Sequence, residues 1–302
     1  MMPIHFINKD RATLNLRKKE LSDLSYEIIS FPDGEKQLNI TSPLINCKKV
    51  VVIFTTIKSA DDLFILLQAQ DILERYNIQY CTIITYLMTQ RSDRVFSEGR
   101  PFSIGIVMKL LHGIVEVFEL HNTTAKGLAT NAEYFNNIGL LMSTRGMSEN
   151  NISYKPYLYL FPDKGAFDRY GYFRIPDSKI LIGKKVRDVS TGQITDYTIT
   201  DIDDEKPRIP KNTKKIYVID DLCDGGRTFI GAASKLRELA PNAKICLNVI
   251  HVVQEEGLRR VCEEFDEVTV TNSYADWEKL DIPNLKVIDI VNIKDPLLNM
   301  PI

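Results

Sequence analysis

Short runs of β-branched and aromatic residues recur along the chain, at residues 26–31, 49–55, 80–86, 115–120, 157–161, 179–182, 215–219, 244–250 and 286–290, with helical spacing in stretches between them. Runs that are apolar throughout suit strands covered on both faces, and their alternation with helices calls for an α/β fold of mainly parallel sheets flanked by helices. Helices are predicted at 59–76, 103–112, 228–240 and 254–265. In the first, Leu63, Leu66, Leu67 and Leu73 share a face, and Ser59 with Asp62 resembles a capping box. In the third, Phe229, Ala232, Leu236 and Leu239 form the inner stripe, and Pro241 ends it. A length of 302 residues suffices for two domains. The polar segment 144–154 separates two similar strand and helix series, so the predicted domains are 1–148 and 149–302, with room for the last residues to pack back on the first.

Charge and cysteine usage narrow the function. With 38 Lys and Arg against 40 Asp and Glu, the net charge of -2 provides no basic field to recruit nucleic acid or an anionic membrane. Residues 50–54 form the longest apolar run, far below the roughly 20 needed to span a bilayer, and residues 1–10 lack the apolar core of a signal peptide. The cysteines Cys47, Cys81, Cys223, Cys246 and Cys262 show no CxxC spacing, which predicts a reducing, cytoplasmic setting and no zinc site. Residues 188–210 are polar and acidic without an apolar stripe, and are expected to form a loop, of the kind that serves as a lid, or an exposed hairpin.

The segment Val218-Ile219-Asp220-Asp221-Leu222-Cys223-Asp224-Gly225-Gly226-Arg227-Thr228-Phe229 carries the most chemistry. A hydrophobic strand ends in two adjacent carboxylates, and a Gly-rich turn leads through Thr228 into an amphipathic helix. Ligands of open parallel sheets sit at this carboxyl edge. Gly225 and Gly226 let the backbone approach an anion, and the helix N-terminus offers N–H groups and partial positive charge to a phosphate. Asp220 and Asp221 repel phosphate but accept hydrogen bonds well, which suits vicinal sugar hydroxyls or a bridging metal. Together these describe a ribose phosphate site. The plainer alternative is a tight turn with Thr228 as helix cap and solvated acids. The segment fits neither GxxxxGK[ST] nor GxGxxG.

Asp-Asp-Leu-Cys-Asp-Gly-Gly-Arg-Thr resembles the phosphoribosyl loop of ribose-phosphate pyrophosphokinases, also called phosphoribosyl pyrophosphate synthetases, and more loosely that of type I phosphoribosyltransferases. Further segments resemble the first family, in its order. Phe31-Pro32-Asp33-Gly34-Glu35 is similar to its adenine-recognising motif, and Tyr86 through Arg91-Ser92-Asp93-Arg94 to the segment whose arginines hold ATP. Arg100-Pro101-Phe102-Ser103, then Glu119-Leu120-His121, resemble its helix and histidine-bearing strand end. Phe161-Pro162-Asp163-Lys164-Gly165 looks like its Pro-Asp-x-Gly turn, and Lys185-Val186-Arg187 its catalytic pair, with Lys184 an alternative for Lys185.

The resemblance implies two phosphoribosyltransferase-like domains and an enzyme that passes the diphosphate of MgATP to the C1 hydroxyl of ribose 5-phosphate, releasing AMP. It implies that Phe31, Asp33, Glu35, Arg91, Ser92, Asp93 and Arg94 bind ATP. Lys185, Arg187 and His121 would be catalytic, and His121 and Asp163 would hold Mg²⁺. Asp220 and Asp221 would orient the ribose, while Asp224, Gly225, Gly226, Arg227 and Thr228 receive its phosphate. Because the adenine motif of the family serves a neighbouring subunit, a homo-oligomer built of dimers, up to a hexamer, is expected. Taken singly, each residue has a plainer reading. His121 suits a structural histidine, Arg91 and Arg94 suit surface partners of Asp93 or Glu98, and Asp163 suits a turn initiator. Phe31 suits a core residue, and 184–187 a solvated strand end. His5, His112 and His251 are expected to be structural.

Departures from the family pattern bear on the substrate. Ser92 stands where Gln is usual, residues 122–127 differ from the family segment, and the chain ends at Pro301-Ile302 without the family's final helix, which puts its allosteric control in doubt. Arg227 stands where a small residue is expected and adds a fixed cation to the loop. That residue raises ADP-ribose, which carries more phosphate, as an alternative acceptor, with ADP-ribose pyrophosphate for NAD synthesis as the product. A type I phosphoribosyltransferase and a non-catalytic regulatory homologue are the competing classes. The first has no need of the Phe31 to Glu35 motif, and retention of the charged set argues against the second.

Overall fold

A computed structural model of the chain describes residues 4–8, 24–44, 50–121, 132–135, 158–171, 179–187, 194–203 and 205–290. Among them two compact units form, 4–135 and 158–290. The predicted boundary at 148/149, the segment 144–154 and the chain end lie outside the described residues.

The first unit is built on the sheet order β1-β4-β5-β6-β7, with β1 (His5–Asn8), β4 (Val51–Ile57), β5 (Tyr80–Leu87), β6 (Ile114–Phe118) and β7 (Ala132–Phe135). Only β1 runs antiparallel to its neighbour, so the mainly parallel sheet expected from the apolar runs is present. Helix α1 (Ala60–Arg75) starts at the anticipated capping box: Ser59 Oγ accepts from the Asp62 amide at 3.2 Å, and Asp62 accepts from the Ser59 amide at 3.0 Å. Its Leu63, Leu66 and Leu73 are buried, as their shared face requires. Helix α2 (Ser103–Leu110) precedes β6. A separate hairpin, β2 (Tyr26–Ser30) and β3 (Lys36–Ile40), leans on α1: Gln68 accepts from the Leu38 amide at 2.7 Å and donates to the Lys36 carbonyl at 2.8 Å.

The second unit has the order β10-β9-β8-β11-β12-β13-β14. Its strands are β8 (Leu158–Phe161), β9 (Lys179–Arg187), β10 (Ile194–Asp201), β11 (Lys215–Cys223), β12 (Lys244–Val252), β13 (Glu267–Thr271) and β14 (Leu285–Ile288). All are parallel except the edge strand β10. Helices α3 (Lys164–Tyr170), α4 (Arg227–Leu239) and α5 (Glu255–Glu264) follow β8, β11 and β12. The apolar stripe of α4 (Phe229, Ala232, Leu236) packs into one core with Ile216 and Val218 of β11. Strand β9 runs to Arg187 rather than ending near residue 182 and pairs antiparallel with β10, the pairing of the expected hairpin, while residues 188–193 lie outside the described set. Antiparallel pairing supplies the backbone partners of β10, and its Tyr197 and Ile199 turn into the core. No helix among the described residues is long and apolar enough to cross a membrane.

Candidate active site

Strand β11 places Asp220 and Asp221 at the carboxyl edge of the second sheet, beside the end of β8. Their side chains are 14% and 1% exposed, and Asp220 Oδ1 accepts from the Asp221 amide at 2.9 Å. Burial, and then the adjacent Asp221 carboxylate, holds the Asp220 carboxyl well above the usual range. The loop that follows is shaped by its glycines for different reasons. Gly226, the N-cap of α4, has φ of +80°, a left-handed conformation that favours glycine. Gly225 needs neither: a Cβ there would meet nothing within 4 Å. Its missing side chain leaves open space along the backbone, the condition for close approach of a ligand. No side chain caps α4, so Thr228 is a first-turn residue and not the cap, and the helix N-terminus keeps its N–H groups for another acceptor. Cys223, the last residue of β11, adjoins the loop, but burial pushes its thiol up to about 12, which removes it as a nucleophile.

Two further parts of the second unit meet this edge. Asp163 caps α3, accepting from the Ala166 amide at 2.9 Å through Oδ1, so the turn-initiating role is present. Its other oxygen accepts from Lys185 Nζ at 2.8 Å. Burial alone would raise the Asp163 carboxyl, yet the Lys185 ammonium, the Ala166 amide and Arg169 outweigh it and leave the group below its ordinary value. Side chains alternate along β9. Lys185 is therefore the lysine turned to Asp163, while Lys184 is exposed. The turn is braced by Tyr197 of β10, whose hydroxyl donates to the Pro162 carbonyl at 2.9 Å. Gly183 makes room for it, since a Cβ there would come 1.9 Å from that hydroxyl oxygen. The Arg187 side chain falls outside the described set.

In the first unit, the ends of β5 and β6 form a second edge. Two non-glycine residues there have left-handed backbones, Thr89 at φ 66° and Glu119 at φ 56°. For a β-branched residue this is strained, and such strain concentrates at functional sites. Between them, buried Gln90 accepts from the His121 amide at 3.2 Å and so ties the arginine turn to the histidine strand end. Among the described residues its Nε2 has no partner. Gln90→Met is expected to cost about 1 kcal/mol of stability through loss of that bond; an unchanged denaturant midpoint would reject the tie. Arg94 makes paired bonds of 2.9 and 3.1 Å to Asp93, whose side chain is buried, so the surface pairing anticipated for it is realised. Arg91 is exposed, and the Ser92 carbonyl accepts from the Ile104 amide at 3.3 Å.

Phe31, Asp33 and Glu35 lie on the exposed turn of the hairpin, with Gly34 at φ +94°. Phe31 is thus not core. His251 is fully buried with Nδ1 2.7 Å from Ser273 Oγ, in keeping with a structural histidine. Sequence reasoning missed Gln90, Arg169 and Gly257. Arg169 donates to both Asp221 and Asp220, and Gly257 lies against the Asp224 carbonyl.

No protein-family model matches the chain. It is similar to ribose-phosphate pyrophosphokinases of Pyrococcus abyssi (27% identical over 280 residues, 89% of each chain) and Pyrococcus furiosus (29% over 273 residues, 85% of this chain and 88% of the relative). The relative of the same name from Helicobacter hepaticus is 26% identical over 269 residues, covering 86% of this chain and 82% of its own. Among solved structures, the phosphoribosylpyrophosphate synthetase from Mycobacterium smegmatis superposes with a TM-score of 0.70 over 90% of this chain and 88% of that one, at 18% identity. That likeness establishes the two-sheet α/β fold, and the sequence relatives bear out the resemblance read from the motifs.

Proposed function

We propose that the chain is a ribose-phosphate diphosphokinase-type transferase. It moves the β,γ-diphosphate of MgATP to the C1 hydroxyl of ribose 5-phosphate and gives phosphoribosyl pyrophosphate and AMP. The observation that carries this is a set gathered at one sheet edge of the second unit: a buried acid pair, a glycine loop with an open side, an uncapped helix N-terminus and a lysine held by Asp163. The relatives named ribose-phosphate pyrophosphokinase support the same reaction.

In this reading Asp220 and Asp221 orient the sugar hydroxyls, and residues Asp224 to Thr228 receive the 5-phosphate at the start of α4. The C1 oxygen attacks the β-phosphorus, the bond from that phosphorus to the oxygen bridging the α-phosphorus breaks, and the hydroxyl proton passes to solvent. Such transfer demands alignment and cations around the reacting centre more than covalent help. Lys185, with Arg187, donates to oxygens on which charge accumulates as AMP departs. Arg91 and Arg94 grip the polyphosphate, Arg94 with a guanidinium already oriented by Asp93. Phe31, Asp33 and Glu35 serve the adenine of a neighbouring subunit, which makes the working form a homo-oligomer.

Among the described residues no three His, Cys, Asp or Glu side chains gather as a metal cage. The Asp163 side chain is 39% exposed and its carboxyl is held ionised, which suits Mg²⁺, an ion that keeps most of its waters and needs only one or two protein donors beside substrate phosphates. Asp163 and His121 would hold it, and when bound it neutralises charge on the transferring oxygens. No disulfide joins the four described cysteines, all of them buried.

A second reading takes ADP-ribose as acceptor. The exposed Arg227, at the first position of α4, favours it, because it adds a donor fork beside the loop where a second phosphate would extend. Mass analysis of reactions with MgATP and either acceptor tests both readings. Ribose 5-phosphate is expected to yield AMP and phosphoribosyl pyrophosphate, and Arg227→Ala to change its KM by less than about threefold, the loss of one exposed pairing. Product from ADP-ribose alone, with a tenfold or larger rise in its KM in Arg227→Ala, would install the second reading. No AMP with either acceptor would reject both.

A further inference from the structure

Arg169 belongs to none of the motifs by which the site was read, yet its side chain is only 9% exposed and both acids converge on it. It lies on the helix α3 that Asp163 caps. From there Nη1 donates to Asp221 Oδ1 at 2.5 Å and to Asp220 Oδ1 at 3.3 Å, and the guanidinium carbon stands 5.4 Å from the Tyr170 ring centroid. A carboxylate as buried as that of Asp221 is tolerated only when paired, and two adjacent carboxylates repel one another unless a cation sits between them. Both bonds leave one nitrogen whose two N–H directions are fixed in the guanidinium plane, whereas the N–H groups of an ammonium rotate on a flexible stem.

We propose that Arg169 is a positioning residue: it anchors the acid pair from within the protein, so that Asp220, the more exposed of the two, is presented to the acceptor's sugar hydroxyls in one orientation. The proposal rests on the reading of the acid pair as the sugar site. It also links the two sides of the edge. Asp163 starts the helix that carries Arg169 and at the same time holds Lys185, so the segment from 163 to 169 sets the places of a proposed catalytic cation and of the proposed sugar acceptors together.

Steady-state kinetics on the full chain, with acceptor and MgATP varied separately, test the role. Arg169→Met is expected to raise the acceptor KM at least tenfold while the MgATP KM stays within twofold. Arg169→Lys keeps a charge and serves where the methionine variant does not accumulate; it is expected to recover part of the acceptor affinity, since one ammonium meets one acid well and not both. A residue that only stabilised the fold would lower the amount of active enzyme, and hence the apparent kcat, without moving either KM. An unchanged acceptor KM in both variants, beside a wild-type enzyme that turns over, rejects the positioning role alone. A wild-type enzyme that converts neither ribose 5-phosphate nor ADP-ribose strikes the functional reading instead.

Discussion

Lys185→Met is expected to lower kcat by about a hundredfold or more, the usual cost of removing a donor aimed at charge that develops in the transition state. Acceptor affinity, measured by calorimetry with ribose 5-phosphate, is expected to change by less than about threefold, because an interaction made only in the transition state leaves ground-state binding in place. The expectation comes from the position of Nζ, 2.8 Å from Asp163 Oδ2 on a side chain that is 16% exposed. An ammonium held at a carboxylate is oriented and partly desolvated before substrate arrives. Losing it also leaves Asp163 without its strongest partner, so stability is compared in Lys185→Met and in the double variant with Asp163→Asn, where any stability lost to the broken ion pair returns. Turnover is read in the single variant, because Asp163 is itself a proposed Mg²⁺ ligand. Lys184→Met is the control, since that side chain leaves the strand on the other face. A kcat within threefold of wild type in Lys185→Met, with a collapse in Lys184→Met, would transfer the role to the neighbour.

What could be read in the sequence follows the range of the interactions concerned. The capping box at Ser59 spans three residues, and the strand, glycine turn and helix from Val218 to Phe229 form one continuous string, so both are visible in order along the chain. Helix α3 has seven residues and buries Ala166 and Tyr170 alone, too few to set up a helical period. Strand β10 was legible only as a hairpin alternative, because just two residues, Tyr197 and Ile199, turn into the core, too few to mark an apolar stripe in a polar segment, and its pairing with β9 supplies the rest. At Phe31 it is the plainer alternative that fails: an aromatic at the end of a β-rich run suits core, but the chain turns there, with the Gly34 amide donating to its carbonyl at 3.0 Å, and the ring stays exposed. At the site, Arg169 is 51 and 52 residues from its two acids, and Gln90 is 31 from His121. Nothing local in Asp168-Arg169-Tyr170 distinguishes a buried anchor from a surface charge.

Gly257→Ala is the second substitution with a large expected effect, and the sign is decided by what surrounds it. Within a helix, alanine is ordinarily favoured over glycine by about 1 kcal/mol, so propensity predicts a gain. The surroundings predict the reverse. A Cβ at 257 would lie 1.8 Å from the Asp224 carbonyl oxygen, 2.9 Å from its carbon and 3.2 Å from the Gly225 Cα. All three are backbone atoms, so no rotamer change relieves the contact. Either α5 or the phosphate loop has to move. Overpacking of this kind costs about 1–3 kcal/mol, and displacement of binding groups by about 1 Å is enough to cost on the order of a hundredfold. Gly257→Ala is therefore expected to lower the unfolding midpoint and to weaken ribose 5-phosphate binding by tenfold or more. Gly225→Ala supplies the contrast. Its Cβ would enter open space, so the unfolding midpoint is expected to hold while acceptor binding falls, because the methyl group occupies the side of the loop proposed for the phosphate. Calorimetric melting and acceptor titration of the two variants separate the cases. If Gly257→Ala leaves both quantities unchanged, the tight seating of the loop on α5 is wrong. If Gly225→Ala leaves acceptor binding unchanged, the phosphate does not lie on that side.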